Sequence, residues 1–241
     1  MTDIVLPTSR NEVVIKSPRK LVIYSPPKTG KTTLISALES CLLLDIDNGA
    51  DFVSAMMLKP KSYQDMYEIC EKVKAAGRPY VYGAVDTTTE METMALPLAL
   101  KLYQATAMGA NYKGHILNLP NGGGYLYLRQ AFEMILDMVE GAFDRVILLG
   151  HIKDKMIDRA GKEVNAKDID LTGKIKQIVC AKADAIGYLY REGNKCIITF
   201  ETTDDITCGA RPLHLRNKKF VLSEQDSDGN TKVYWDKIYI D

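Results

Sequence analysis

The sequence predicts an α/β fold: a mainly parallel sheet flanked by helices, with antiparallel strands at its C-terminal side. Three observations carry this. Short apolar runs of strand length recur at 20–24 (KLVIY), 41–47 (CLLLDID), 80–86 (YVYGAVD) and 145–151 (RVILLGH). They lack clean alternation of polar and apolar residues, as expected of strands buried on both faces of a parallel sheet. Stretches with helical character lie among them, at 31–40, 62–77 and 125–143, and a further helix begins near Thr88.

The pattern changes from Gly187 onward. Residues 186–202 look like a hairpin turning at Glu-Gly-Asn, and 218–240 like a second strand pair around Asp-Gly-Asn. These are expected to extend or flank the sheet, so the chain reads as one domain with its core over about 18–215 and a β extension over 216–241. Two polar stretches, 106–124 and 153–173, read as long loops, which in a compact domain are usually functional or mobile.

Composition narrows the classes. The chain has 241 residues, 46% apolar and 26% charged, enough for a substantial core. Lys plus Arg equal Asp plus Glu at 31 each, so any nucleic-acid contact must come from a local patch. Five scattered cysteines, never spaced C-x-x-C, argue against a disulfide framework or zinc site and for a reducing cytoplasm. The N-terminal stretch shows no secretory signal, and no apolar run approaches the roughly 20 residues that span a bilayer.

The first strand runs into Ser25-Pro26-Pro27-Lys28-Thr29-Gly30-Lys31-Thr32-Thr33. This matches the phosphate-binding pattern G-x-x-x-x-G-K-[ST] at every required position but the first, where serine stands for glycine. Backbone N–H groups of such a loop and of the helix it opens converge on an anion. Lys31 is placed to reach the β- and γ-phosphates of ATP, and the Thr32 hydroxyl to ligate Mg²⁺. The alternative is an ordinary strand–turn–helix corner. Three of the other apolar runs end in polar residues at the carboxyl edge, where ligands gather in such sheets: Asp45 and Asp47, Asp86, and His151.

From these residues the chain resembles the RecA-like P-loop ATPases. VYGAVDTTTEMETM resembles their Walker B strand, CLLLDIDNGAD the strand that ends in a catalytic carboxylate, and RVILLGHIKDK the sensor strand. The order of motifs resembles that of the small phage AAA-type nucleotide-binding proteins associated with single-strand annealing and recombination. The resemblance implies that Asp86, supported by Thr87, holds Mg²⁺ through water. It implies that Asp47 orients the attacking water where the family carries Glu, with Asp45 as the alternative, and that His151 senses the γ-phosphate. It also implies a homo-oligomer with Arg211 completing a neighbour's site, and single-stranded DNA gripped by the loops 106–124 and 153–173, alone or with an annealing or single-strand-binding protein. The first loop region offers Tyr103, Tyr112, Lys113, His115, Tyr125 and Tyr127; the second offers Lys153, Lys155, Arg159, Lys162 and Lys167.

Plainer readings stand beside these. Asp86 caps a helix, Asp47 beside Asn48-Gly49 is turn chemistry, His151 is a satisfied polar residue, and Arg211 lies in a solvated basic turn. The second loop also holds Asp154, Asp158, Glu163, Asp168 and Asp170, which cancel most of its charge. A nucleotide-dependent switch that docks a protein partner is therefore a competing reading; a P-loop kinase fits the order of motifs less well.

Overall fold

The computed structural model describes residues 15–159 and 162–241, together with residues 6, 8–10 and 12; the side chains of 155–165 lie outside the described set. Its strands are β1 (Lys20–Ser25), β2 (Cys41–Asp45), β3 (Met57–Leu58), β4 (Tyr82–Asp86), β5 (Arg145–Arg159), β6 (Lys162–Ile169), β7 (Ala185–Glu192), β8 (Lys195–Thr199), β9 (Gly209–Ala210), β10 (Lys219–Gln225) and β11 (Thr231–Val233). The helices are α1 (Lys31–Ser36), α2 (Tyr63–Ala75), α3 (Thr88–Gln104), α4 (Gly124–Ala142) and α5 (Gly173–Lys182).

The strands run in the order β11-β10-β8-β7-β1-β5-β4-β2-β3. From β7 to β3 every neighbouring pair is parallel, and β8, β10 and β11 add on antiparallel beyond β7. This is the α/β architecture that the sequence predicts. Side chains alternate between two buried faces. Val22, Leu42, Leu44, Val85 and Leu148 meet α2, α3 and α4 on one side. Leu21, Ile23, Leu43, Ile147 and Leu149 pack with Leu34 and Ile35 of α1 on the other. Burial on both faces is why the runs lack alternation in sequence.

The C-terminal segment holds the short helix α1 from outside. Trp235, in a 3₁₀ turn at Trp235–Lys237, donates its indole N–H to the Leu34 carbonyl at 2.8 Å and is buried with Ile238 against Leu34 and Ile35. A six-residue helix is too short to be stable by itself. Its position is a tertiary result.

Both expected loops are more ordered than the sequence suggests. Residues 153–169 are not loop: β5 continues past the sheet and pairs antiparallel with β6, from Ile152↔Ile169 to Arg159↔Lys162. A polar ribbon carries no apolar period and so leaves no strand signal in sequence. The segment 106–124 winds through two 3₁₀ turns, Ile116–Asn118 and Pro120–Gly122, with Ile116 and Leu119 buried. Tyr103 packs on Tyr112 and Tyr127 with ring centroids 5.4 and 5.1 Å apart, so these three rings are engaged with one another. α3 runs through Pro97 to Gln104, burying Met91, Met94, Ala95, Leu98 and Ala99 at helical spacing, and α5 follows β6.

Candidate functional site

The carboxyl ends of β1, β2, β4 and β5 converge. The register sets Ser25 beside His151, Asp45 beside Asp86 and Asp86 beside Leu149. The backbone N–H groups of Ile46 and Asp47 both donate to the Asp86 carbonyl, at 2.7 and 3.0 Å, which seats Asp47 above the end of β4.

Between β1 and α1 the chain makes its arch. Gly30 has φ +107°, a conformation strained for any residue with a Cβ, and Lys28 at the exposed apex has φ +60°. Pro26 and Pro27 donate nothing, and no side chain caps the α1 N-terminus, so its first N–H groups face outward without a side-chain partner. The Thr29 hydroxyl donates to the Pro26 carbonyl at 2.7 Å and ties the arch internally; Thr33 lies exposed on the first turn of α1.

Lys31 is 7% exposed, and its ammonium donates to Ser25 Oγ at 3.1 Å. Serine in place of the expected glycine thus gives the lysine a resting partner. The Thr32 hydroxyl donates to Asp86 Oδ2 at 2.8 Å. Burial lowers the Lys31 pKa, against the pull of Asp86 and Asp47. Burial raises the Asp86 pKa, opposed by the Thr32 hydrogen bond and by Lys31.

His151 Nε2 lies 3.9 Å from Asp47 Oδ2, while its Nδ1 is buried without a partner, as is Thr88 Oγ1 on the first turn of α3. The Thr87 side chain caps α3 by accepting from Glu90 N, so the capping reading belongs to Thr87 and leaves the Asp86 carboxylate facing Thr32. Asp45 does not stand at the site: it is fully buried and accepts from Gly49 N and Ala50 N at 3.1 and 3.2 Å, with Lys59 Nζ at 3.7 Å. It holds the loop after β2, whereas Asp47 lies toward His151.

One hydroxyl and one carboxylate in contact, beside a buried ammonium, form the donor set that a magnesium–nucleotide needs, since Mg²⁺ takes few protein ligands and fills its shell with water and phosphate oxygens. The described residues hold no cluster of three or more His, Cys, Asp or Glu that would bind a metal without the nucleotide. The residues fit the group.

A family model described as an AAA domain matches residues 17–211. The chain belongs to the AAA-domain family. Among solved structures it is similar to a KaiC-like protein, PH0186, from the hyperthermophilic archaeon Pyrococcus horikoshii OT3, at 13% identity and a TM-score of 0.45, over 90% of this chain and 89% of that one. No curated protein matches the chain. The AAA domain identifies a nucleotide-binding P-loop ATPase.

Other expected residues of this AAA domain fall elsewhere. Arg211 bonds Asp184 at 3.3 Å and the Ala181 carbonyl at 2.7 Å; Asp184 also accepts from Arg19 N and Lys20 N, at the end of β1 opposite the arch. Lys167 is not a free surface cation, because its ammonium lies 4.9 Å from the Tyr188 ring centroid and 3.1 Å from the Tyr188 hydroxyl. Lys153 pairs with Asp170 and Lys176 with Asp168. The side chains of Lys155, Arg159 and Lys162 lie outside the described residues. Lys113, His115 and Tyr125 are exposed.

Sequence reading missed two sets of residues. Arg129 and Lys174 line a cleft of about 470 Å³ between the starts of α4 and α5, beside the already named Tyr125. Arg191, on β7, reaches the arch: its Nε donates to the Thr29 carbonyl at 3.1 Å, joined there by the Cys196 thiol at 3.0 Å. No local pattern marks either set, since each is assembled from separate elements.

Asp86→Asn tests the electrostatics. A carboxyl whose pKa is raised by folding contributes stability that is present below its unfolded value, about pH 4, and lost as pH rises through the folded value. The charged form of Asp86 is therefore held at a cost in the unliganded protein. The variant is expected to melt at the same temperature as the wild type or higher when unliganded at pH 7. It should bind ATP with magnesium at least about tenfold more weakly. Melting curves and calorimetry check both.

Proposed function

We propose that the chain binds ATP with Mg²⁺ at Lys31, Thr32 and Asp86 and hydrolyses it. The observation that carries this is the Thr32–Asp86 contact of 2.8 Å beside a buried lysine whose hydrogen-bond partner is a serine hydroxyl. Thr32 and Asp86 would hold Mg²⁺, which supplies neutralisation of phosphate charge. Lys31 exchanges Ser25 for phosphate oxygens. Asp47 orients the attacking water, and His151, with its unpartnered Nδ1, reads the γ-phosphate. Phosphoryl transfer depends mostly on such positioning and charge, so no stronger base is required.

The finer reading rests on the resemblance to phage recombination ATPases. It places one ATPase domain over about 18–215 with the β extension 216–241, acting in the host cytoplasm in recombination or single-strand annealing. In this reading it works as a homo-oligomer in which Arg211 serves a neighbour, together with an annealing or single-strand-binding protein. Single-stranded DNA would lie on the exposed Tyr125 with Lys113 and His115, helped by Arg129 and Lys174, for which the described residues provide no ion-pair partner. Aromatic and basic groups together suit single strands. No described helix is long and apolar enough to cross a membrane.

One set of observations favours the second reading, an ATP-dependent switch with little turnover that docks a protein. Lys153, Lys167 and Lys176 already have partners within the chain, and Tyr103 packs edge-on and tilted against Tyr112 and Tyr127. ATP turnover measured with and without single-stranded DNA separates the two. The recombination reading expects stimulation that falls steeply with salt; turnover indifferent to DNA supports the switch. Asp47→Asn is expected to slow turnover about 100-fold, and an unchanged rate would move water activation to another group.

A further inference from the structure

We propose that Arg191 is a nucleotide ligand acting in cis, gripping the α-phosphate of the nucleoside di- or triphosphate seated on the arch. The assignment rests on the nucleotide-binding reading above and goes beyond the motif residues. The last parallel pair of β1 and β7 is Tyr24↔Tyr188, so Arg191 lies three residues, about 10 Å, further along β7. That brings it level with the arch rather than with the sheet. It pairs across the hairpin with Cys196, and both side chains converge on one acceptor, the Thr29 carbonyl.

Only Nε is used in that bond. Among the described residues no carboxylate lies within ion-pair distance of Arg191, although it is exposed and Glu192 follows it in sequence. The guanidinium keeps two NH₂ groups, and Nη2 lies 3.5 Å from where a Cβ on Gly30 would sit, over the face of the arch. A planar fork with one edge anchored and the other free is suited to a phosphate, and the anchoring lowers the entropy lost on binding.

The sheet order says which phosphate. Asp86 ends β4 and His151 lies on β5, both on one side of β1, so the metal and the terminal phosphates belong to that side. Arg191 comes from β7, on the opposite side of β1. A phosphate chain crossing the arch presents its nucleoside end there. The α-phosphate is common to ADP and ATP, so the two should respond alike.

The test uses the full chain with Arg191→Gln, which keeps a donor for the Thr29 carbonyl but no charge, and Arg191→Ala. Calorimetric titrations with ADP, ATP and pyrophosphate, all with magnesium, are read beside the melting temperature of the unliganded proteins. Expected are about tenfold weaker ADP and ATP binding in both variants, unchanged pyrophosphate binding, turnover at saturating ATP within about twofold of the wild type, and an unliganded Arg191→Gln protein that melts as the wild type does. Equal weakening of pyrophosphate would overturn the assignment in favour of a brace for the arch. Wild-type ADP affinity in Arg191→Gln would overturn it while leaving the nucleotide site intact. A wild type that itself binds no ADP removes both.

Discussion

Lys31→Ala is expected to reduce ATP turnover at least about 100-fold, the loss that follows removal of one preorganised charge from a developing anion. The same change should leave the unliganded protein as stable as the wild type. Lys31 sits 7% exposed with one hydrogen bond, to Ser25, and burial lowers its pKa. A basic group whose pKa is lowered by folding is held at a disadvantage in its charged form, so at neutral pH its removal costs little. The two effects together separate a functional lysine from a structural one. Turnover assays and melting curves with and without ATP check it: the wild type should gain several degrees with ATP and the variant none. A variant that loses its fold would show instead that Lys31 holds the arch together.

Trp235→Ala should produce the largest loss of stability, about 3–5 kcal/mol, since it empties a buried indole site and removes the stronger of the two donors to the Leu34 carbonyl, leaving only Ala37 N at 3.3 Å. For a chain of this size that corresponds to roughly 10 °C in melting temperature. Trp235→Phe keeps most of the volume and loses the hydrogen bond, so its cost should be about 1–2 kcal/mol. The consequence reaches the site because Leu34 belongs to α1, the helix that opens with Lys31 and Thr32. ATP affinity in Trp235→Ala should therefore fall along with stability, measured at a temperature where the variant is still folded. Undiminished ATP affinity in a destabilised variant would show that the arch holds without this support.

The arch was legible in sequence because its chemistry is local. A strand, a glycine able to take φ +107°, a lysine and a threonine must follow one another for backbone amides to converge, and consecutive residues record that. The parallel strands were legible because both of their faces are buried, and the two hairpins because tight turns demand particular residues. What stayed hidden depends on partners far apart. Tyr103, Tyr112 and Tyr127 read as stacking platforms until Tyr103 was found packed against the other two rings, and Lys167 read as a phosphate contact until it was found on Tyr188. Asp45 and Asp47 are two residues apart in one motif, yet one is buried under a loop and the other faces His151.

By itself, the sequence determined the fold class and the arch, because each is written in residue types at fixed spacing, and its resemblance to the RecA-like ATPases pointed to Asp86 as the partner of Thr32. Only the tertiary structure decided which charges were already paired, that the segment after His151 is a ribbon, and that Arg191 and Trp235 reach the arch and its helix from about 160 and 200 residues away. The physical reason is that the charge, burial and hydrogen-bond partners of a side chain belong to its surroundings in space, and nothing in the neighbouring sequence records them.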